Sequence, residues 1–261
     1  MKKIALGVIM ILMMSLIGCS KGNDGEPEST SEVTGDLTQE QTTEEKLEPA
    51  KGLINDNKAP FSLTLLGHAS TKIVTKSGVV IYIDPYYDKG DYSQEADLIL
   101  VTHSHSDHNN VSLCTKKDTT QVIDNKAALV DAEYKTFEFE GVKIEAVPAS
   151  NSNHNIKACV GYLISFDGIT VYHAGDTSKL DSMTALKDKK IDIAMYPIDG
   201  DYNMDAVEAT DVAGIVGAKY NIPMHESDMP SKPKKALQFN PEGKTCLEYG
   251  QTISLEEYVG K

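Results

Sequence analysis

The sequence predicts an α/β sandwich made mainly of short strands, and three observations favour it. Most apolar runs after residue 58 are short and rich in β-branched side chains, which is typical of strands. Two pairs of runs flank the turn residues Glu140-Gly141 and Asp167-Gly168, as the strands of hairpins do. Helical spacing of apolar residues is rarer, and no G-x-G-x-x-G is present, so a Rossmann sheet is not indicated.

The N-terminal residues have the pattern of an export signal. Lys2 and Lys3 precede an apolar run that ends at Ile17 and is too short for a bilayer span, which needs about 20 residues. A basic start, a short apolar stretch and a small residue before the cleavage point are typical of a signal peptide. Leu16-Ile17-Gly18-Cys19 resembles the cleavage region of a bacterial lipoprotein signal, which implies a signal peptide over residues 1–18 and a lipidated Cys19, carrying palmitate, at the outer face of a cell membrane. A plain signal peptide or a membrane anchor with a chance cysteine is the alternative.

The next segment has the composition of a linker. Residues 19–58 are rich in Glu, Ser, Thr, Gly and Pro, and such a stretch cannot bury enough apolar surface to offset the entropy of ordering it. We predict a disordered acidic linker there, which as a flexible coil would span roughly 35 Å and hold a domain away from the membrane. A solvated tail without that role fits equally well. Residues 59–261 then form a single domain.

Within this domain the pattern of apolar residues defines the elements. The predicted strands are Leu63–Leu66, Ile73–Thr75, Val79–Ile83, Leu98–Val101, Phe137–Phe139, Val142–Val147, Val160–Phe166, Ile169–Tyr172 and Ile191–Tyr196. The run Leu98–Val101 is apolar throughout, as expected of a strand that is buried on both faces. Helical spacing predicts a helix over Met204–Ala218, and a less regular pattern suggests one over Ala127–Ala132.

Composition limits the classes of partner. The formal net charge is −14, and all 25 basic residues are lysine. Nucleic-acid binding depends on basic clusters that neutralise phosphates, so this class is not expected. Without arginine, an anionic ligand must be bound by lysine, the backbone or a metal ion. Three cysteines of the domain, Cys114, Cys159 and Cys246, allow at most one internal disulfide and one free thiol.

The clearest chemical signal is His103-Ser104-His105-Ser106-Asp107-His108, directly after a buried strand. In an extended segment His103 and His105 project to the same side, because strand side chains alternate. A turn after them could bring Asp107 and His108 beside the first pair. Imidazole and carboxylate groups in this arrangement indicate a metal site, whereas the plainer alternative is a polar surface loop.

This H-x-H-x-D-H motif resembles that of the metallo-β-lactamase superfamily. Further matching segments occur in the same order, namely Leu66-Gly67-His68-Ala69-Ser70, Ile83-Asp84-Pro85, Tyr172-His173-Ala174-Gly175-Asp176-Thr177 and Ile222-Pro223-Met224-His225. Together they are similar to the branch of small single-domain hydrolases that includes L-ascorbate-6-phosphate lactonase. The resemblance covers nearly the whole domain and implies an αββα sandwich with a two-metal centre at the sheet edge.

The resemblance also implies which residues hold the metal ions. One ion takes His103, His105 and His154, a second takes Asp107, His108 and His225, and Asp176 bridges both. The ions, zinc by preference with manganese or iron as alternatives, would lower the pKa of a bridging water. Asp107 would then act as the catalytic residue that orients the resulting hydroxide and accepts its proton.

Several of these residues could instead have a purely structural role. His154 could be an ordinary loop histidine, and Asp176 an ordinary turn aspartate. His68 lies in a segment that passes near the metals in similar proteins, so it could contact a metal ligand or the substrate, whereas His173 is expected to be a core histidine. Asp84 resembles a loop residue that orients a ligand imidazole. We include none of these last three in the predicted metal set.

These features predict a lipid-anchored, metal-dependent hydrolase of a small-molecule substrate: an ester, lactone, amide or phosphodiester. The segment Asp199–Asp205 departs from the glycine-rich sequence of similar proteins, so the specificity of the pocket stays open. The alternative function is a non-catalytic metal-binding lipoprotein that delivers metal to a transporter. A degenerate fold that serves only as a scaffold is a third reading.

Overall fold

The computed structural model describes residues 53–54, 61–226 and 235–255, and every structural statement below concerns these ranges. The predicted signal peptide, Cys19 and most of the predicted linker lie outside the described residues. None of the helices within the described ranges is long and apolar enough to cross a membrane.

Two β-sheets and a small two-stranded ladder contain the fifteen strands of the described chain. The strands of the first half are β1 Leu53–Ile54, β2 Ser62–Gly67, β3 Ser70–Val74, β4 Val80–Ile83, β5 Ala96–Leu100, β6 Lys116–Ile123, β7 Leu129–Val130 and β8 Glu133–Tyr134. The others are β9 Thr136–Phe139, β10 Val142–Pro148, β11 Val160–Phe166, β12 Ile169–His173, β13 Ile193–Pro197, β14 Tyr220–Met224 and β15 Thr252–Leu255. The first sheet has the order β1-β15-β2-β3-β4-β5-β6, and the second has the order β14-β13-β12-β11-β10-β9.

Parallel pairs lie at one side of each sheet. In the first sheet β4, β5 and β6 are parallel, and in the second sheet β12, β13 and β14 are parallel. The remaining pairs are antiparallel: most are hairpins, including the two predicted around Glu140-Gly141 and Asp167-Gly168, while β15 pairs with β1 and β2 from the other end of the described chain. The carboxyl ends of β4 and β5 therefore point the same way, as do those of β12, β13 and β14.

The main core lies between the two sheets. Ile81 and Leu98 of the first sheet and Ile164 and Val171 of the second all belong to one cluster of buried side chains. The strand β5 is buried at every position, as the apolar run that begins at Leu98 predicts for its second half. Burial of this apolar surface from both sheets is the dominant force that holds the sandwich together.

Helices cover the outer face of the second sheet. The helices on that face are α2 Ala206–Val216 and two 3₁₀ helices, Asp181–Lys189 and Lys235–Leu237, whereas α1 Asn125–Ala128 follows β6 and its Ala128 joins the main core. The buried face of α2 joins Tyr172 and Tyr196 in a second apolar cluster. Over the first sheet, loop residues such as Tyr92 and Cys114 pack on Tyr82. The predicted single-domain αββα sandwich is confirmed, with loops as its outer layer on that side within the described ranges.

Two predicted elements need correction. Residues Leu53–Ile54 fall inside the predicted disordered linker, yet they form β1, which pairs with β15 in antiparallel register. The linker prediction is therefore wrong at these two residues, where an apolar pair provides backbone partners for an edge strand. The helix predicted over Ala127–Ala132 ends after one turn, because Asp131 and Ala132 adopt left-handed backbone and turn the chain into the β7–β8 hairpin.

Two further features were absent from the prediction or left open by it. The strand β6 carries a mostly exposed, polar sequence at the edge of the first sheet, so it lacks the apolar alternation that identifies a strand. Cys114, Cys159 and Cys246 are all buried and free. Of the readings that the sequence allowed, the structure therefore has three thiols and no disulfide among the described residues.

Candidate metal centre

The candidate site lies where strands of both sheets end. Asp84 follows β4, His103 follows β5 after two residues, Asp176 follows β12, and His225 follows β14. Loops at the carboxyl ends of parallel strands meet at one edge of a sheet, which is where α/β proteins place ligands. The two sheets thus contribute side chains to a single cluster.

A short turn arranges the H-x-H-x-D-H motif. The N–H of His108 donates to the carbonyl of His105 at 3.1 Å, and the rings of His103 and His108 come within 4.1 Å of each other. His103 and His108 are buried, whereas His105 is exposed and Asp107 is partly exposed. The motif therefore presents two imidazoles inward and two groups toward solvent.

One set of three histidines surrounds a common point. The ligating atoms of His103, His105 and His154 all lie within 4.8 Å of one another, and each ring is less than 5 Å from the other two. Asn151 accepts a hydrogen bond from Nδ1 of His154 at 2.8 Å, which fixes the ring and leaves Nε2 facing the cluster. Nε2 of buried His103 makes no hydrogen bond with any described residue. Such an atom fits a metal ligand, because a buried imidazole nitrogen otherwise needs a partner.

A second set lies beside the first. The ligating atoms of Asp107, His108 and His225 fall within 4.8 Å of one another, together with that of His68. Nε2 of His108 is 3.2 Å from Nε2 of His225 and 3.8 Å from Oδ2 of Asp107. The structure thus brings the predicted ligands together in two adjacent groups and places His68 with the second, while His103, His108 and Asp176 form a third, overlapping group.

Asp176 lies between the two sets. Its Oδ2 atom is 3.2 Å from Nε2 of His154 in the first set and 3.2 Å from Nε2 of His225 in the second. Its Oδ1 atom is 3.3 Å from Nε2 of His108. The preceding residue, Gly175, has φ +62°, and a Cβ there would lie 2.8 Å from a backbone oxygen, so a side chain would displace the loop that carries the carboxylate.

Buried carboxylates orient His108 and His225 by contacting the ring nitrogen Nδ1 of each. Asp84 is fully buried and lies 2.8 Å from Nδ1 of His108, while it also accepts hydrogen bonds from the N–H and hydroxyl of Thr102, both at 2.7 Å. Oδ2 of Asp199 is 3.0 Å from Nδ1 of His225. A partner on the second ring nitrogen holds an imidazole in one orientation and raises its basicity toward a metal.

The electrostatics of the cluster suit cation binding. Burial lowers the pKa of His103 to about 3 and also lowers the pKa of His154, so both rings are neutral and offer a lone pair at neutral pH. Burial alone would raise the pKa of Asp176, but the charges of His108 and His225 outweigh it and hold that pKa well below its usual range. Burial would lower the pKa of His108 and His225, but the carboxylate of Asp176 outweighs it and raises both, that of His225 to about 9, so a metal ion held by these two rings would displace a proton from each. A buried, ionised carboxylate among imidazoles is the ligand set that divalent transition metals prefer.

Three of the eight described non-glycine residues with left-handed backbone lie at this site. His68, Asp84 and His225 all adopt left-handed backbone, with φ of 56°, 47° and 58°. Each costs on the order of 1 kcal/mol for a residue with a side chain, and such strain is found preferentially at functional positions. The N–H of His225 donates to the carbonyl of His68 at 3.0 Å, which locks two of the three together.

A cavity of about 270 Å³ opens onto the cluster. Its lining residues are His105, Asp107, Asn153, His154, Asp176, Tyr202 and His225. Asn153 and Tyr202 belong to two loops that are joined by a 2.8 Å hydrogen bond between the side chains of Asn151 and Asn203. The segment Asp199–Asp205, which departs from similar sequences, therefore forms one wall of the pocket.

The sequence did not identify every functional position. Asn151 and Asp199 orient two of the histidines, yet an asparagine and an aspartate in polar loops carry no distinguishing signal. His173 is fully buried and its Nε2 lies 2.9 Å from the carbonyl oxygen of Ala69, which agrees with the predicted core role. The resemblance places the segment of His68 near the metals, but the position of this residue within the second set is seen only in the structure.

Comparison with known proteins gives the class to which this fold and site belong. The family model described as Beta-lactamase superfamily domain matches residues 62–225, a range that includes both ligand sets and Asp176. The chain therefore belongs to the β-lactamase superfamily, as its motifs predict. A relative from Methanoculleus marisnigri, named UPF0173 metal-dependent hydrolase, is 32% identical over 194 residues, which cover 68% of this chain and 86% of the relative. This match places the chain in the UPF0173 metal-dependent hydrolase family.

Solved structures agree with this placement. A protein from Parabacteroides distasonis, named as a metal-dependent hydrolase, is similar with a TM-score of 0.60 and 28% identity, covering 73% of this chain and 94% of that one. A metallo hydrolase from Ignicoccus hospitalis is similar with a TM-score of 0.58 and 23% identity, covering 74% of this chain and 97% of that one, and it supports the fold alone.

Proposed function

We propose that this chain is a two-metal hydrolase that cleaves an ester, lactone, amide or phosphodiester in a small substrate. The position of Asp176 carries the proposal, because its carboxylate lies 3.2 Å from a histidine of each ligand set. A carboxylate shared between two ligand sets is what a two-metal site requires. We also propose that the chain is similar to L-ascorbate-6-phosphate lactonase, as its motifs suggest.

The proposed ligands divide between two metal positions. His103, His105 and His154 would hold one ion, Asp107, His108 and His225 the other, and Asp176 would contact both. Imidazole and carboxylate ligands suit zinc, and also manganese or iron, so zinc is proposed first. When bound, such ions polarise a carbonyl or phosphoryl oxygen and supply an acidified water as nucleophile.

Asp107 is the proposed catalytic carboxylate. Its side chain is 36% exposed and lines the cavity, so it can meet a water molecule and a substrate. The hydrogen bond with His68 holds the pKa of Asp107 below its usual range, which keeps the carboxylate ionised, the form that can bind a cation and orient a water molecule. Buried His103 and His108, by contrast, do not line the cavity, so their proposed role is to hold a metal ion.

The cavity favours a substrate without high negative charge. Its described lining contains histidine, carboxylate, amide and phenol groups but no lysine, and the chain has a net charge of −14. A polyphosphate would therefore meet no lysine of the described lining, and its charge would have to be balanced mainly by the metal ions. Asn153 and Tyr202 offer hydrogen bonds and an aromatic surface, which suit a lactone, an ester or an amide.

We also propose that Cys19 carries a lipid that anchors the enzyme to the outer face of a cell membrane. The support is the basic, short apolar segment before Cys19 and the polar segment after it. Mass spectrometry of the mature N-terminus tests this part directly, since an unmodified Cys19 in the mature protein would contradict it.

The central experiment compares the full chain with Asp176→Asn. We expect about two ions per chain by elemental mass spectrometry, and turnover on a panel of esters, lactones, amides and phosphodiesters that a chelator abolishes and added metal restores. Asp176→Asn should lose turnover down to the uncatalysed rate while it keeps its fold. The matched control, Asp188→Asn, changes an exposed aspartate of the 3₁₀ helix and should retain full turnover.

Three results would contradict the proposal. One is full turnover by Asp176→Asn, and another is a wild-type chain that binds no metal even after reconstitution. The third is tight metal binding without turnover on any substrate of the panel, which would favour the metal-carrier alternative.

A further inference from the structure

His68 lies within contact distance of the second ligand set. It follows directly after β2, its side chain is 10% exposed, and its Nε2 atom lies 3.4 Å from Oδ2 of Asp107. Its ring centre is 3.7 Å from that of His225. The ligating atoms of His68, Asp107, His108 and His225 all lie within 4.8 Å of one another.

The separations in this group are those of atoms around one ion. With metal–ligand bonds of about 2.0–2.1 Å, two ligands of a tetrahedral zinc ion are about 3.3–3.4 Å apart. Nε2 of His68 is 3.4 Å from Asp107, and Nε2 of His108 is 3.2 Å from that of His225. The distances from Asp107 to His108 and His225 are 3.8 and 4.0 Å, which a modest inward movement of one side chain would correct.

A hydrogen bond alone accounts for the geometry less well. N–H···O bonds have donor–acceptor distances of about 2.7–3.2 Å, and bonds to a carboxylate are at the short end of that range. The 3.4 Å separation between His68 and Asp107 is longer. His68 also takes a left-handed backbone with φ of 56°, and that backbone accepts the N–H of His225. Two residues of the second set are thereby fixed relative to each other.

We propose that His68 is a ligand of the second metal ion, together with Asp107, His108 and His225. This inference rests on the proposed two-metal function. It makes the centre asymmetric, because the second position has four protein ligands before Asp176 is counted and the first has three histidines. Closed four-ligand sites are typical of structural metals, whereas catalytic sites keep a position open.

The cavity exposes part of each ligand set. His105 and His154 of the first set line it, as do Asp107 and His225 of the second, whereas His103, His68 and His108 do not. His68 would therefore contribute to the second position from outside the cavity lining.

The test uses Co²⁺ as the metal probe on the full chain and the variant His68→Asn. Asparagine tolerates left-handed backbone but is too short to replace the imidazole, so the local fold should be kept. We expect the affinity of one of the two Co²⁺ sites to fall by more than about 100-fold, which exceeds the 10–100-fold effect of losing an outer partner. The visible absorption of Co²⁺ at that site should change, since its coordination changes.

Two further variants calibrate the result. His225→Asn is the positive control, because it makes the same substitution at another left-handed position of the same set and should weaken the same site. Tyr86→Phe is the negative control, because the ring of Tyr86 lies 5.3 Å from that of His68 and its loss of a hydroxyl should change neither site.

The outcomes separate this inference from the proposed function. If the wild-type chain binds no Co²⁺, the two-metal function fails. If the wild-type chain binds two ions and His68→Asn binds both with unchanged affinity, only the role of His68 is overturned. A smaller fall in affinity with an unchanged visible spectrum would also overturn it, since loss of a hydrogen bond to Asp107 would produce that result.

Discussion

At the scale of single residues, Asp84 holds the most demanding position in the site. It is fully buried, it has left-handed backbone, and its two oxygens contact the backbone and hydroxyl of Thr102 and Nδ1 of His108. Burial alone would raise the pKa of Asp84, but the charge of His108 outweighs it and holds that pKa below its usual range. One carboxylate thus fixes both the start of the motif loop and a proposed metal ligand.

We expect Asp84→Asn to weaken metal binding by about 10–100-fold, with the fold retained. The amide can still accept the N–H of Thr102, but its NH₂ group would face Nδ1–H of His108 and disfavour the tautomer that leaves Nε2 free for a metal. Competition with a chelating dye measures the affinity. Asp167→Asn, at a left-handed turn residue far along the chain from the motif, is the control. Equal affinities in the two variants would show that Asp84 does not orient His108.

At the scale of elements, α2 begins and ends with well-defined caps. Asp205 accepts the N–H groups of Val207 at 2.9 Å and Glu208 at 2.8 Å, and Gly217 ends the helix with φ +70°. The sequence predicts this helix well because its apolar spacing agrees with both caps. The loop before Asp205 forms a wall of the cavity, so the start of α2 also limits how far that wall can move.

Replacing the cap should therefore destabilise the domain without removing the metal ligands. We expect Asp205→Ala to lower the free energy of unfolding by about 1 kcal/mol, measured by chemical denaturation. Asp211→Ala removes an exposed carboxylate from the interior of the same helix, and it should cause no loss because alanine favours helix. If both variants were equally stable, the cap of Asp205 would contribute nothing.

Elements also differ in how far the sequence specifies them. The strand β5 is recognisable because its residues from Leu98 onward belong to a continuous apolar run. The polar strand β6 is not, since its pairing with β5 at a sheet edge, rather than its own composition, makes it a strand. The hairpin after Ala128 depends on left-handed backbone at Asp131 and Ala132, and alanine gives no indication of that conformation.

The same distinction applies to the site. The motif His103–His108 is dense enough to identify from sequence, and the later ligands follow from matching segments in the same order. The roles of Asn151 and Asp199 could not be predicted, because each depends on the position of a histidine that is distant in sequence or lies in an irregular loop. His68 is an intermediate case: the resemblance places its segment near the metals, but its distances to Asp107 and His225 depend on how β2 and β14 meet in the folded sandwich.

At the scale of the whole molecule, the proposed metal sites join the two sheets. His103 and His108 follow the first sheet, whereas Asp176 and His225 follow the second. A bound ion would therefore stabilise the packing of one sheet against the other, and it would bind the native state in preference to the unfolded chain.

We accordingly expect removal of metal to lower the thermal midpoint by about 5–10 °C. A ligand present at about 100 times its dissociation constant contributes about 2.7 kcal/mol, and a domain of this size shifts by roughly 2–4 °C per kcal/mol. Calorimetry of the full chain with added Zn²⁺ and with chelator measures the shift. Asp176→Asn should show a smaller difference between the two conditions, and an unchanged midpoint in the wild-type chain would contradict the expectation.

The wide spacing of the site along the chain has a consequence for how the protein reaches its native state. The contributing residues extend from His68 near the start of the described domain to His225 in its last third, and they converge only where the two sheets meet. Contacts between such distant residues form late, because closing long loops must precede them. A metal ion is therefore not expected to nucleate folding. It would bind the assembled sandwich and lower its rate of unfolding.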